Sequence, residues 1–245
     1  ALAGILIALE GYESEYKIYS KASTDGRKIL NDELGESQLT EHESANILPW
    51  SGVKNVYKKV KDPRDKSLVG CYTLFPPRRN KDYGLMRVAY NTTKLDNNFN
   101  YVIVAKTTKN PSKFVFNNYK TAKIYKTQPY SMHKELSNIL KAYILSSKLQ
   151  ENDFLFGTAK NTPYDSFSRT VSSTFKKYTG KALSANLLRH SFVSNFLNRK
   201  NLSHKMKLDV ATMMAHSITM QSKYNSRRNA SSAHFLYSFV LFLVF

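Results

Sequence analysis

Apolar positions recur every three to four residues over most of the chain and alternate only in a short middle stretch. The stretch NLLRHSFVSNFL, residues 186–197, reads as a buried helix, with Leu187, Leu188, Phe192, Val193, Phe196 and Leu197 forming its apolar stripe. KELSNILKAYILSSKL, residues 134–149, places Leu136, Ile139, Leu140, Tyr143 and Ile144 on one helical face. ANILPWSGVKNVYKKV and DKSLVGCYTLF make residues 46–75 helical, and the PP at 76–77 stops the run. From residue 163 onward short helices follow: DSFSRTVSSTFKKYTG, the 186–197 helix, KMKLDVATMMAH, and a last segment around Tyr224. Three other runs, LMRVAYN, NYVIVAK and KFVFNNY, read as strands separated by Asn, Asp, Lys and Pro clusters. They predict a small antiparallel sheet over residues 85–126. The expected class is α+β, mostly helical, with no internal repeat.

Charge divides this pattern. The 245 residues hold 37 Lys/Arg against 18 Asp/Glu, a net +19. Residues 1–45 carry nine acids and four bases, and the remaining 200 carry nine acids and 33 bases. That shift predicts an N-terminal helical segment over 1–45, a basic body over 46–228 and an apolar tail over 229–245. The opening at Ala1 instead of Met predicts a fragment, with 1–45 the remnant of a larger N-terminal domain. So large a positive excess predicts a polyanionic partner, nucleic acid before anionic membrane; a basic surface without a partner is the alternative. ALAGILIAL at the start and HFLYSFVLFLVF at the end are too short to span a bilayer, and no basic leader marks a signal peptide. The single cysteine, Cys71, excludes an internal disulfide and a cysteine metal cluster. It fits an intracellular location, and its apolar setting makes it a buried structural thiol.

Arg189 is the anomaly in the helical pattern. A guanidinium framed by core leucines has to find an anion. Between residues 166 and 228 the only acid is Asp209, against twelve Lys/Arg, so a supplied anion such as a phosphate becomes credible. Arg79 raises the same question just beyond the helix-stopping prolines, and Asp82, three residues on, could orient it. The run 106–126 holds six lysines and no acid; it either follows a phosphate backbone or protects a sheet edge.

The order Arg79, Lys120, Arg189, His216, Tyr224 resembles the catalytic domain of tyrosine recombinases, the phage-type integrases; type IB topoisomerases carry the same set. FPPRRNKDY holds the first arginine, NYKTAKIY the β-hairpin lysine, LLRHSFVSNF the second arginine, and MMAHSITMQSKY the histidine and tyrosine. PPRRNKDY and the Lys/Asn-rich hairpin are most similar to integrases of virophages, giant viruses and large DNA transposons. The resemblance covers residues 46–228. It departs at Asn186, where the family commonly has histidine, and in the eight-residue gap from His216 to Tyr224, one shorter than the usual spacing.

The resemblance implies a DNA breaking-rejoining fold and a site-specific recombinase acting through a 3′-phosphotyrosyl intermediate. Tyr224 would be the nucleophile, with Tyr237 a weak rival. Arg79 and Arg189 would clamp the non-bridging oxygens, and His216 would hydrogen-bond one or assist proton movement. Lys120 would protonate the leaving 5′-oxygen, with Lys123 and Lys113 as substitutes. Asn186, His190 and Asp82 are expected to touch the phosphate or support those that do, although Asn186 could simply start a helix and His190 simply pack. Lys106, Lys113, Lys123 and Lys126 would contact DNA. Transesterification conserves bond energy, so no cofactor and no metal is expected, and the sequence has neither a phosphate-cradling glycine loop nor an acidic metal cluster. The expected partner is double-stranded DNA, bound by a homo-tetramer that is monomeric when free. The expected location is inside the cell, at DNA. Topoisomerase-like relaxation and non-catalytic DNA binding remain open beside recombination.

Overall fold

The computed structural model describes residues 11–33, 39–90, 95–105, 112–221 and 224. Two units divide the chain. Residues 1–39 and 226–245 form one, which contains helix α1 (Glu13–Glu33). Residues 40–225 form the other, which contains every further element among the described residues. The C-terminal tail, with Tyr237, lies outside the described residues, as do Lys106 and residues 107–111.

The second unit opens with α2 (Glu41–Asn46), set by a reciprocal capping box between Thr40 and Glu43. A short α3 (Trp50–Val53) and a 3₁₀ turn (Val56–Lys59) lead to α4 (Pro63–Thr73). Asp62 caps α4 and Pro63 stands at its first turn, where a missing N–H costs nothing. Seven consecutive residues of α4, Ser67–Thr73, are buried, including the Cys71 thiol, whose burial raises its pKa well above the usual thiol range. The helix ends at Thr73, before the prolines. It lies close against α7 (Lys134–Ser146): a Cβ on Gly70 would meet Leu136 Cδ1 at 3.2 Å, and Ser67 Oγ donates to the Ile139 carbonyl at 3.4 Å.

After α5 (Asn80–Gly84) come β1 (Met86–Ala89), β2 (Asn100–Ile103), β3 (Lys113–Phe116), α6 (Ala122–Tyr125) and β4 (Gln128–Ser131). The sheet order is β1-β2-β3-β4. The three expected strands are present, but the sheet is mixed: β1 and β2 run parallel, and only β2–β3 and β3–β4 are antiparallel. Ten residues, 90–99, join the parallel pair, fewer than such a crossover usually takes, so the spacing read as a hairpin. β4 went unread because Pro129 interrupts it, and an edge strand is where a sheet tolerates proline. At the other edge β1 is covered by residues 152–155, which exchange backbone bonds with Met86 and Val88. Phe75 and Tyr83 pack on Phe114 and Phe116 with ring centroids 5.4–6.3 Å apart, joining the α4–α5 region to the sheet.

Then come α8 (Phe167–Thr179), α9 (Ala185–Leu197) and α10 (His204–Met213). Gly180 ends α8 in the left-handed conformation, φ 74°. Ser184 caps α9 with a hydrogen bond to the Leu187 N–H. The stripe expected on α9 is too narrow a description. Arg189, His190, Ser191 and Ser194 are buried with Leu187, Leu188, Val193 and Phe196, while Phe192 and Leu197 are half-buried.

Arg78, not Arg79, is the fully buried arginine before α5. Its Nε donates to Asp82 Oδ2 at 2.6 Å, its Nη1 to Gln128 Oε1 at 3.0 Å, and its guanidinium stacks 3.9 Å from the Phe116 ring. The expected Arg79–Asp82 pairing is therefore corrected: Asp82 lies four residues from Arg78, the spacing of one helical turn, and Arg79 is the N-cap residue whose side chain points elsewhere. Removing one partner of a buried ion pair strands the other. Asp82→Asn should lower unfolding stability by about 3–5 kcal/mol in urea titrations. Arg78→Met with Asp82→Leu should lose less than the sum of the two single changes.

Candidate active site

The site is built on the C-terminal end of α10. A helix leaves its last carbonyls without intrahelical partners. Here side chains from three other regions take them. The Thr212 carbonyl accepts from Gln128 Nε2 at 3.2 Å and Met213 from Arg78 Nη1 at 2.6 Å. Met214 accepts from Arg189 Nη1 at 3.1 Å. Ala215 accepts from Arg79 Nη1 at 2.8 Å and Thr121 Oγ1 at 3.1 Å. Cations at this end also meet the negative pole of the helix. The backbone turns sharply: Ala215 N–H reaches Thr212 and His216 N–H reaches Ala211, with Ala215 left-handed at φ 53°. Glycine is the usual residue at such a position; an L side chain there carries about 1–2 kcal/mol of strain. That turn delivers His216 to the site.

Arg189 projects from α9 and is 2% exposed. Its Nε donates to the Tyr224 hydroxyl at 3.1 Å and its Nη1 also reaches the Pro77 carbonyl at 2.9 Å. Its Nη2 is buried with no partner among the described residues. Tyr224 is 8% exposed and packs with Val193 and Met214. The His216 ring lies 5.6 Å from the Tyr224 ring, and both His216 nitrogens are buried and unpartnered among the described residues. Burial first, then the charges of Arg189 and Arg79, push the His216 pKa down to about 3, so the imidazole is neutral at physiological pH. Arg79 is half-buried; burial and the nearby Arg189 lower its pKa. Arg79, Arg189, His216 and Tyr224, spread over 146 positions of sequence, thus converge.

The remaining expected residues are distributed unevenly. Lys120 is exposed on the turn after β3, within the β3–β4 connection, and its neighbour Thr121 touches the Ala215 carbonyl. Lys123, in α6, and Lys126 are exposed in the same connection. Lys113 begins β3 and so belongs to the same β3–β4 hairpin, but at the opposite end of the strand from Lys120. Lys106 lies outside the described residues. Asn186 donates to Glu43 Oε1 at 3.3 Å in the first turn of α9. His190 sits beside Arg189 on the same tyrosine: its ring meets the Tyr224 ring edge-on at 4.3 Å, and its Nδ1 lies 3.3 Å from the Tyr224 carbonyl. The two adjacent residues meet Tyr224 at different points, and His190 packs on its ring. Arg189 meets its hydroxyl end and His190 its backbone end.

Four contributors were missed, among them Gln128, whose carboxamide bonds both Arg78 and the Thr212 carbonyl. Arg78 was hidden as the first of two arginines, though its i,i+4 spacing to Asp82 was a readable signal. Thr121 carries no signal. Asn100, buried at the start of β2, donates to the Asp82 and Asn118 carbonyls, both at 2.9 Å, and accepts the Asn117 and Asn118 N–H groups, both at 2.8 Å. It thereby ties α5 to the turn that carries Lys120 and Thr121.

Among the described residues no group of three His, Cys, Asp or Glu could hold a metal ion, and no helix is long and apolar enough to cross a membrane.

The buried neutral His216 makes stability depend on pH. Unfolded, its imidazole gains a proton below about pH 6.5; folded, only below about 3. Its contribution is present above pH 6.5 and declines as pH falls through that window, by about 1.4 kcal/mol per unit. Between pH 7 and 5, the wild type should lose about 2 kcal/mol more unfolding stability than His216→Gln in urea titrations.

No family model matches the chain, and no curated protein matches it in sequence. Among solved structures it is similar to the XerA recombinase, with a TM-score of 0.52 at 16% identity. The match covers 77% of this chain, which spans 63% of the length of that one. At this identity the likeness is one of fold, which in this chain is mostly helical with a small four-stranded mixed sheet.

Proposed function

We propose that the chain breaks and rejoins DNA by transesterification, with Tyr224 as the nucleophile of a site-specific recombinase. The observation that carries this is the 3.1 Å contact between Arg189 Nε and the Tyr224 hydroxyl, with an unpartnered Nη2 on the same guanidinium. The nucleophile and the cation that would hold a phosphate therefore share one place. The fold held in common with a DNA recombinase and the net charge of +19 support the same reading.

In this reading the Tyr224 oxygen attacks phosphorus and forms a 3′-phosphotyrosyl bond as the bond to the 5′-oxygen breaks. The phenolic proton leaves the tyrosine, and the departing 5′-oxygen receives one, so the reaction is balanced without an added reactant. Arg189 and Arg79 each present a forked guanidinium to the non-bridging oxygens, where charge builds in the transition state. Neutral His216 supplies one N–H donor and one acceptor, enough to bind a phosphate oxygen or pass a proton. Lys120, one residue from the Thr121 contact at the site's edge, is assigned as the acid that protonates the 5′-oxygen. Attack by a second strand's hydroxyl reverses the step. Exchange between two duplexes calls for a tetramer, working inside the cell at DNA.

The test uses nicked duplexes randomised around the nick, so that no target sequence need be known. After denaturation, wild-type protein should carry covalently attached DNA. Tyr224→Phe, which keeps the ring packing, should abolish the adduct and retain DNA binding. Arg189→Lys should slow adduct formation by about a hundredfold to a thousandfold. A wild type without adduct, or a Tyr224→Phe protein that still forms it, overturns the proposal.

A further inference from the structure

Gln221 is 1% exposed, and neither its amide nitrogen nor its amide oxygen has a hydrogen-bond partner among the described residues. A buried carboxamide normally satisfies both atoms, because burial without partners opposes folding. Packing alone would be served better by methionine or leucine. The position of Gln221 supplies a reason. Residues 218–221 and 224 are helical, and the Gln221 N–H bonds the Ser217 carbonyl at 3.0 Å. Gln221 and Tyr224 are three positions apart, the spacing at which helical residues share a face. Both residues are buried, and among the described residues Arg189 Nη2, the two His216 nitrogens, Arg78 Nη2, Asp82 Oδ1 and Ser194 Oγ are also buried without a partner.

We propose, resting on the phosphodiester reading of the site, that Gln221 is a further substrate-contacting residue. Its Nε2 donates to an oxygen of the DNA phosphodiester, and its Oε1 accepts from the 5′-hydroxyl that cleavage frees. A cleaved strand brings both complements at once, acceptors on the phosphate and a donor on the new hydroxyl. The arginines can only donate. Gln221 adds an acceptor beside them, which would hold the freed strand end for the return step.

The test is Gln221→Met, which preserves length and volume and removes both polar atoms. Without DNA, its melting temperature should rise by about 2–4 °C, since two unpaired buried groups are gone. With the nicked duplex pool, its adduct should form about tenfold more slowly than wild type. Gln221→Glu, which keeps the shape but sets an acceptor against the phosphate, should be slower still. A lower melting temperature for Gln221→Met, or an unchanged adduct rate, overturns the inference. If the wild type forms no adduct, the assignment of Tyr224 as nucleophile falls, and thermal stabilisation by the same DNA decides for Gln221. A larger gain for wild type than for Gln221→Met supports the contact, and equal gains overturn it.

Discussion

The carbonyls at the end of α10 have to be satisfied inside the protein, and that requirement organises the second unit. Arg78 from before α5, Arg79 at its start, Thr121 from the β3–β4 connection, Gln128 from β4 and Arg189 from α9 all converge on residues 212–215. Elements distant in sequence are thereby locked to a common point. The same bonds fix the left-handed turn at Ala215 and hence the place of His216. Helix capping and site assembly are one set of interactions here. A mutation that loosens the cap acts on the site as well as on stability.

The two neighbouring arginines before α5 divide the labour. Arg78 is neutralised by Asp82 and sandwiched by aromatic rings, so its charge is internally compensated. Arg79 and Arg189 have backbone carbonyls and a phenol as partners, none of which carries a formal charge. Burial first, and then the charge of these close cations, lower the pKa values of His216 and Arg79. The folded chain therefore holds an electrostatic deficit that an anion would relieve, as P–O oxygens in the proposed reaction do. Unpaired atoms on Arg189, His216 and Gln221 add hydrogen-bonding capacity to the same region. Proteins seldom leave so many buried groups unsatisfied unless something else is to meet them.

Periodicity marked the longer helices, whose apolar positions recur at the helical spacing, and three of the four strands; the short helices α5 and α6 it did not mark. The sequence by itself also marked Arg189, a cation set among leucines with one acid in 63 residues, and the pairing of a histidine with a tyrosine eight positions on. Tertiary structure alone decided the rest. Whether β1 and β2 run parallel depends on the path of a connection, which periodicity does not encode. Which of two adjacent arginines meets Asp82 depends on the one-residue offset of a helix start, and that offset sent Arg78 inward and Arg79 to the Ala215 carbonyl. The meeting of Arg189 and His190 on one tyrosine came from the length of that side chain lying across α9. Local pattern records which residues prefer burial; hydrogen bonds between residues more than a hundred positions apart are chosen only when packing brings their atoms within 3 Å.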